Sequence, residues 1–220
     1  MQTTHSPLIL AHHTVHCVTF EPDTFHEHDL LWLPHHVQLA HAGRKRKAEH
    51  LAGRIAAVYA LREQGHKNVP GMGEQRQPLW PEGLSGSISH CATRALAVVS
   101  HQPVGVDIEE IMTPQTAGEL CSSFVDNEEE RVLRSSALPF PLALTLAFSA
   151  RESVFKALSQ WALPLPGFAS AKITALTTTQ LTLRLSPLFS PNFAYHEANV
   201  YWKQHQDTVI TLFPHLASGS

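Results

Sequence analysis

From Leu142 to Leu158 the chain contains neither Gly nor Pro, and Pro141 stands directly before that stretch. Proline is favoured in the first turn of a helix, where its missing N–H is not needed, so the segment predicts one continuous helix. Within it, Phe148-Ser149-Ala150-Arg151-Glu152-Ser153-Val154-Phe155-Lys156 puts Glu152 and Lys156 four residues apart, side by side on one face. Ser149-x-x-Glu152 also has the spacing of a capping box, but a position inside a continuous helix argues against that reading.

A second run, Val104-Gly105-Val106-Asp107-Ile108-Glu109, alternates apolar residues with Gly and acids. Period-2 alternation predicts a strand, and residues two apart on a strand share a face, so Asp107 and Glu109 project together. If the helix packs beside this strand, Asp107, Glu109 and Glu152 converge with Lys156. An all-oxygen set of that kind suits Mg²⁺ and a phosphate-bearing substrate. Taken singly, each pattern is common. Asp-x-Glu often decorates a solvated strand edge, and a Glu–Lys helix pair is often a surface ion pair worth about 0.3–0.5 kcal/mol.

A hydrophobic content of 43% in 220 residues allows one large domain or two small ones with a real core. A net charge of −3 exerts no global pull toward nucleic acid. Cys17, Cys91 and Cys121 are odd in number and widely spaced, which fits a reducing cytoplasm and not a disulfide framework. No apolar run reaches membrane-span length, and Met1 to Ala11 lacks a signal-peptide pattern. Cytoplasmic localisation is expected, with peripheral membrane association as part of a synthetase complex left open. The sixteen histidines include His12-His13, His26-x-His28 and His35-His36, but no His-Glu-x-x-His or Cys-x-x-Cys accompanies them. They read as surface or loop residues and not as a zinc site.

Along the chain, His16 to Phe20 is strand-like, and Leu30-Leu31-Trp32-Leu33 forms an apolar anchor in the polar, His-rich segment 21–43. Arg44 to Gln64 is helical, with Ala48, Leu51, Ile55 and Val58 as its stripe, Lys47 and Arg54 on its shoulder and Gly65 as its stop. A Gly- and Pro-rich loop, Val69 to Leu84, carries Arg76, Pro78 and Trp80. Strands are expected at Gly86–His90, Ala95–Val99, Ala171–Leu176, Gln180–Leu185, Ala198–Trp202 and Val209–Phe213. Residues 113–136 read as helical, with Glu128-Glu129-Glu130 as a solvated run. The expected fold class is α+β, in two halves of similar content, residues 1–102 and 103–220.

Four stretches in order carry a family resemblance. They are Arg44-Lys45-Arg46-Lys47-Ala48-Glu49-His50-Leu51-Ala52-Gly53-Arg54, the run Arg76-Gln77-Pro78-Leu79-Trp80 through Ser87-Ile88-Ser89-His90-Cys91, the Asp107 strand and the Glu152 helix. Together they resemble the 4′-phosphopantetheinyl transferases, in the two-subdomain class of the surfactin-synthetase activator and its siderophore-associated, enterobactin-type branch. The resemblance implies two similar α/β subdomains related by pseudo-twofold symmetry, with the active site in the cleft between them. It implies transfer of the phosphopantetheine arm of coenzyme A to a serine of an apo carrier protein, with release of 3′,5′-ADP. The partners expected are aryl or peptidyl carrier domains of a nonribosomal siderophore synthetase, with no nucleic acid, and the chain is expected to be a monomer.

By the same resemblance Asp107, Glu109 and Glu152 hold Mg²⁺, with Mn²⁺ as the alternative ion. Glu152 is also the candidate base, and Lys156 contacts phosphate. Arg54 and Arg76 hold the 3′-phosphate or adenine end of coenzyme A, His90 and Ser89 reach phosphate oxygens, and Arg44 and Lys47 assist. Phe148 stands where many members carry Trp, and Arg151 where many carry Lys. Ile111, Met112 and Phe124 are expected to meet a helix of the carrier. Two rival readings are a noncatalytic carrier-binding module and a Mg²⁺-dependent nucleotide phosphohydrolase.

Overall fold

The computed structural model describes residues 1–164 and 166–215. Residues 216–220 of the expected second half lie outside them. Two compact units are found, Met1–Gln102 and Pro103–Ser220, and each is taken by itself.

The first unit is an antiparallel sheet backed by one long helix. Strands β1 (Thr3–Leu10) and β2 (His13–Phe20) form a hairpin. Its turn residues, Ala11 and His12, have φ of 47° and 62°, the left-handed pair that a two-residue turn between twisted strands demands. Helix α1 (Arg44–Glu63) follows, then a short ladder of β3 (Gly71–Met72) with β4 (Pro78–Leu79), then β5 (Ser85–Cys91) and β6 (Arg94–Ser100). The sheet order is β1-β2-β6-β5. Strand β1 is absent from the sequence reading, because it lies at the sheet edge, carries Pro7 and alternates poorly. Helix α1 buries Leu51, Val58 and Leu61 among Ala48, Ala52, Ala56, Ala57 and Ala60, small residues that let it lie close to the sheet. It ends before Gly65, whose φ is +81°. In the apolar anchor, Leu30 and Leu33 are buried while Leu31 and Trp32 face outward.

The second unit wraps three helices against a five-stranded antiparallel sheet. Its elements are β7 (Gly105–Glu110), α2 (Pro114–Phe124), α3 (Asn127–Ser135), α4 (Phe140–Leu158), β8 (Ala171–Leu176), β9 (Gln180–Leu185), β10 (Glu197–His205) and β11 (Thr208–Phe213). The order is β7-β11-β10-β9-β8. Leu144, Leu146 and Val154 of α4 join Leu181, Leu183, Val200 and Val209 of the sheet in the core. Burying each such aliphatic side chain stabilises the fold by about 1.5–3 kcal/mol. Ser149 lies inside α4, far from its start, so the capping-box reading fails there.

The expected helix over 113–136 is two helices, broken at Val125 and Asp126. Thr113 caps α2 by accepting from the Thr116 N–H, and Pro114 opens it. Asp126 caps α3 by accepting from Glu128 and Glu129, while the Glu129 carboxylate accepts the Asp126 N–H. The acidic run is therefore not uniformly solvated. Glu129 is only 3% exposed, turned inward onto Arg151 and the Ile173 N–H. Among the described residues no helix is long and apolar enough to cross a membrane.

Candidate active site

Gly105 sets how near α4 comes to β7. A Cβ at this position would lie 1.8 Å from the Ser153 carbonyl oxygen, so only Gly permits the approach. That contact carries Asp107 against the helix. Its Oδ1 accepts from Lys156 Nζ at 2.7 Å, and its Oδ2 accepts from the Ser149 hydroxyl at 2.8 Å. Lys156 also donates to the Val106 carbonyl at 3.2 Å. Thr211, the cross-strand neighbour of Asp107 on β11, meets the Ser149 and Ser153 hydroxyls at 2.8 and 2.7 Å. A hydroxyl network beneath the acid thus fixes Asp107, which is 3% exposed. Ser153 and Thr211 were not singled out from the sequence, and Ser149 was weighed there only as a capping residue. Ser149 and Ser153 sit at i and i+4 on the face of α4 that meets the strand, which was the available signal.

Glu109 shares a hydrogen bond with Asp107, as their two-residue spacing on one strand allows. Burial first, then the Asp107 charge and that hydrogen bond, push the Glu109 carboxyl up to about 8. Lys156 opposes the rise and Glu152 adds to it. Glu152 is raised too, chiefly by burial, then by Asp107, with Lys156 acting against it. Three acids thus influence one another at the join of β7 and α4, with a proton retained at neutral pH. Among the described residues, no three His, Cys, Asp or Glu side chains stand together as a ready metal-ligand set. The donor chemistry fits a hard divalent ion. All the donors are oxygens, and among the described residues three carboxyl groups face a single cation, Lys156.

In the first unit, a cavity of about 370 Å³ is lined by Arg46, Glu49, His50, Gly53, Arg54, Arg76, Ile88 and His90, among others. Gly53 brings α1 onto β5, since a Cβ there would meet Ile88 Cγ2 at 2.8 Å. Arg54, 4% exposed, donates from Nε to the Pro70 carbonyl at 2.9 Å and from Nη2 to the Gly71 carbonyl at 3.1 Å. Burial lowers its guanidinium to about 10, so it remains charged. It borders the cavity and also ties down the loop. Arg76, exposed and in the left-handed region at φ 65°, reaches the same cavity. His90 is exposed beside Glu49, with Nδ1 3.7 Å from the carboxylate.

Three of the expected contact residues do not line this cavity. Ser89 is buried and alternates with Ile88 and His90, so it occupies the opposite face of β5 from the cavity. Lys47 points from α1 toward Glu27, with Nζ 2.9 Å from the carboxylate, and does not line the cavity. Arg44 donates to the Pro22 carbonyl at 3.1 Å and lies over the Phe25 ring. Both residues are in the first turn of α1, where segment 22–27 captures them. Arg151 is fully buried and is not a ligand contact. It pairs with Glu129 and donates to the carbonyls of Ala171 and Phe124. Phe124 packs on Phe148 and Phe168, and like Ile111 and Met112 it is only part-exposed against the core.

The histidines are not all peripheral either. His16 is buried between His5 and Glu63, at 2.9 and 2.7 Å, and His35 is buried against His50.

Comparison with known proteins bears on both units. The family model of the 4′-phosphopantetheinyl transferase N-terminal domain matches residues 34–100, and that of the 4′-phosphopantetheinyl transferase superfamily matches residues 103–212. The chain is 60% identical over 212 residues to enterobactin synthase component D of Salmonella typhimurium, covering 96% of this chain and 90% of the relative. It is 53% identical over 216 residues to enterobactin synthase component D of Escherichia coli strain K12, covering 98% and 100%. To the 4′-phosphopantetheinyl transferase Npt of Nocardia iowensis it is 34% identical over 143 residues, 62% of each chain.

Proposed function

This chain belongs to the 4′-phosphopantetheinyl transferase superfamily, and from that premise we propose how its own residues carry the transfer. As a member it is a transferase that draws the phosphopantetheine arm from coenzyme A and places it on a carrier-protein serine. The carriers are aryl or peptidyl domains of a siderophore synthetase, in keeping with the enterobactin synthase relatives. The enzyme works as a monomer of two subdomains, 1–102 and 103–220, in a reducing cytoplasm that suits an odd number of cysteines.

In the reaction the serine oxygen attacks the β-phosphorus of coenzyme A, the bond to the bridging oxygen breaks, and charge grows on the departing 3′,5′-ADP. Positioning and charge neutralisation carry most of such a transfer. Asp107, Glu109 and Glu152 would hold Mg²⁺, which supplies charge neutralisation at the diphosphate when bound. Lys156, anchored on Asp107 at 2.7 Å, presents a flexible cation to a phosphate oxygen. Glu152 takes the serine proton. In the ion-free site partial burial and the nearby Asp107 raise its carboxyl, and with Mg²⁺ bound the proton would go to the Glu152 oxygen that is not ligated to the ion. Arg54, Arg76 and His90, around the first unit's cavity, receive the nucleotide end of coenzyme A.

The observation that carries this reading is the juncture of β7 and α4, where Gly105 lets Asp107 meet Ser149 and Lys156 beside Glu109 and Glu152. Incubation with coenzyme A, Mg²⁺ and an apo aryl carrier domain tests it. Mass spectrometry of the carrier is expected to show a gain of about 340 Da, one phosphopantetheine arm. Binding of carrier without mass gain would point to a noncatalytic module, and carrier-independent release of nucleotide to a hydrolase.

A further inference from the structure

His35 stands at the start of a short 3₁₀ turn, His36–Leu39, and His50 in the middle of α1. Their Nε2 atoms are 2.8 Å apart, with the rings at 74°. One of these nitrogens must carry a hydrogen and the other a lone pair. His35 is 7% exposed, and its Nδ1 is buried without a hydrogen-bond partner. A proton on that atom would leave a buried N–H unmet, which costs more than an unmet lone pair. The His35 proton therefore sits on Nε2 and is donated to His50. His50, accepting at Nε2, carries its own proton on Nδ1.

Doubly protonated forms are disfavoured at both rings. Burial, then Arg54, lower His35, and burial, then Arg54, His35, Arg46 and His90, hold His50 down at about 3. His50 lines the cavity together with Arg46, Arg54, Arg76 and His90, with Glu49 as the acid among them. The one hydrogen bond seen for its ring among the described residues is the Nε2 contact with His35. A neutral imidazole held in orientation by His35 thus lines a pocket rich in cations.

We infer that His35 is a positioning residue that fixes His50 as an Nδ1–H donor to a phosphate oxygen at the nucleotide end of coenzyme A. The inference rests on the reading that this cavity takes that end of coenzyme A. It adds a recognition element that stays uncharged through the physiological range, and a reason for two histidines to meet nitrogen to nitrogen.

The test is calorimetric titration of the full-length protein with coenzyme A, without carrier. An Asn amide nitrogen overlays Nδ1 of a histidine, and a Gln amide nitrogen overlays Nε2. His50→Gln is expected to weaken coenzyme A about tenfold, while His50→Asn stays within about threefold of the parent. His35→Leu is expected to weaken binding several-fold and His35→Gln to restore most of it, because Gln can still donate to His50. Ring ¹⁵N shifts of the unmodified protein are expected to show His50 protonated at Nδ1 and His35 at Nε2, a readout that needs no variant to fold. Equal affinities for His50→Asn and His50→Gln, or a His50 proton on Nε2, would overturn the inference. Failure of the parent protein to bind coenzyme A would instead overturn the cavity reading, and this inference with it.

Discussion

At the β7–α4 juncture, acids collect: Asp107, Glu109 and Glu152, with Lys156 offsetting part of their charge. Around the first unit's cavity, cations collect: Arg46, Arg54 and Arg76, with His90 and the acid Glu49 among them. The two regions are assembled differently. The acids come from a strand at i and i+2 and a helix position one turn from its lysine, so periodicity groups them within each element, and the close approach at Gly105 joins the two elements. Arg46 and Arg54 lie at i and i+8 on one side of α1, and tertiary packing adds Arg76 from the loop before β4 and His90 from the end of β5. Both regions combine a local spacing with a tertiary contact, and the cation region draws on more separate segments. The first is held tightly, with Asp107 buried in a hydroxyl network, whereas Arg76 in the second is exposed.

The strongest way to break the comparison is at Asp107. Asp107→Asn keeps the shape but removes the charge that anchors Lys156 and would help hold Mg²⁺. Turnover is expected to fall roughly a thousandfold, the scale of losing a preorganised electrostatic group, while the affinity of the first unit for coenzyme A changes little. Steady-state kinetics and calorimetry on the same variant check both halves. Parallel losses in the two would mean the regions are not separable.

The second prediction concerns what supports the acid region. Glu129→Ala leaves Arg151 buried without its carboxylate, and removing one partner of a buried pair costs about 3–5 kcal/mol. Chemical denaturation should report that loss. A change under about 1 kcal/mol, the value typical of exposed pairs, would show that the pair is not buried in solution.

These two residues also show where sequence reading stops. Asp107 was legible because Val104, Val106 and Ile108 alternate with it, and the helix was legible because Leu142 to Leu158 holds no breaker. Glu129 read as one of three solvated acids. Yet Asp126-x-x-Glu129 has the capping-box spacing, and that pattern was the signal for both the helix break and the inward turn of Glu129. Strand β1 went unread because an edge strand needs only one paired side and little alternation. The contacts of Lys47 and Arg44 were illegible for a different reason: their partners, Glu27 and the Pro22 carbonyl, lie some twenty residues away in an irregular segment. The His35–His50 contact likewise joins a 3₁₀ turn to a helix and leaves no periodic trace.

A third prediction sharpens the cation side through pH. The folded state holds His50 at about 3, against an ordinary value of 6.5. Above pH 6.5 the ring is neutral in both states, so it adds no pH dependence. As pH falls below 6.5, the unfolded chain takes up a proton that the folded chain refuses, and stability declines until about pH 3. The loss from this residue is expected to be about 1–2 kcal/mol at pH 5. His35, also lowered, acts in the same direction. Urea titrations between pH 7 and 5 should show the slope, and His50→Asn should flatten it. An unchanged slope in that variant would assign the pH dependence to other groups.

The smallest effect is expected at Arg44. Its guanidinium is committed to the Pro22 carbonyl and the Phe25 ring, outside the cavity. Arg44→Ala should therefore shift the coenzyme A dissociation constant by less than about twofold, within the range of an exposed charge. A tenfold loss would return this residue to the nucleotide site.

Divalent-ion binding by the acid set is the claim on which the catalytic reading turns, and titration with Mn²⁺ followed by electron paramagnetic resonance, in the presence of coenzyme A, measures it without turnover. One saturable site in the parent protein, lost in Asp107→Asn and weakened at least tenfold in Glu109→Gln and Glu152→Gln, is the predicted result, since each carboxylate is a direct oxygen donor. Undiminished Mn²⁺ binding in all three variants would contradict it.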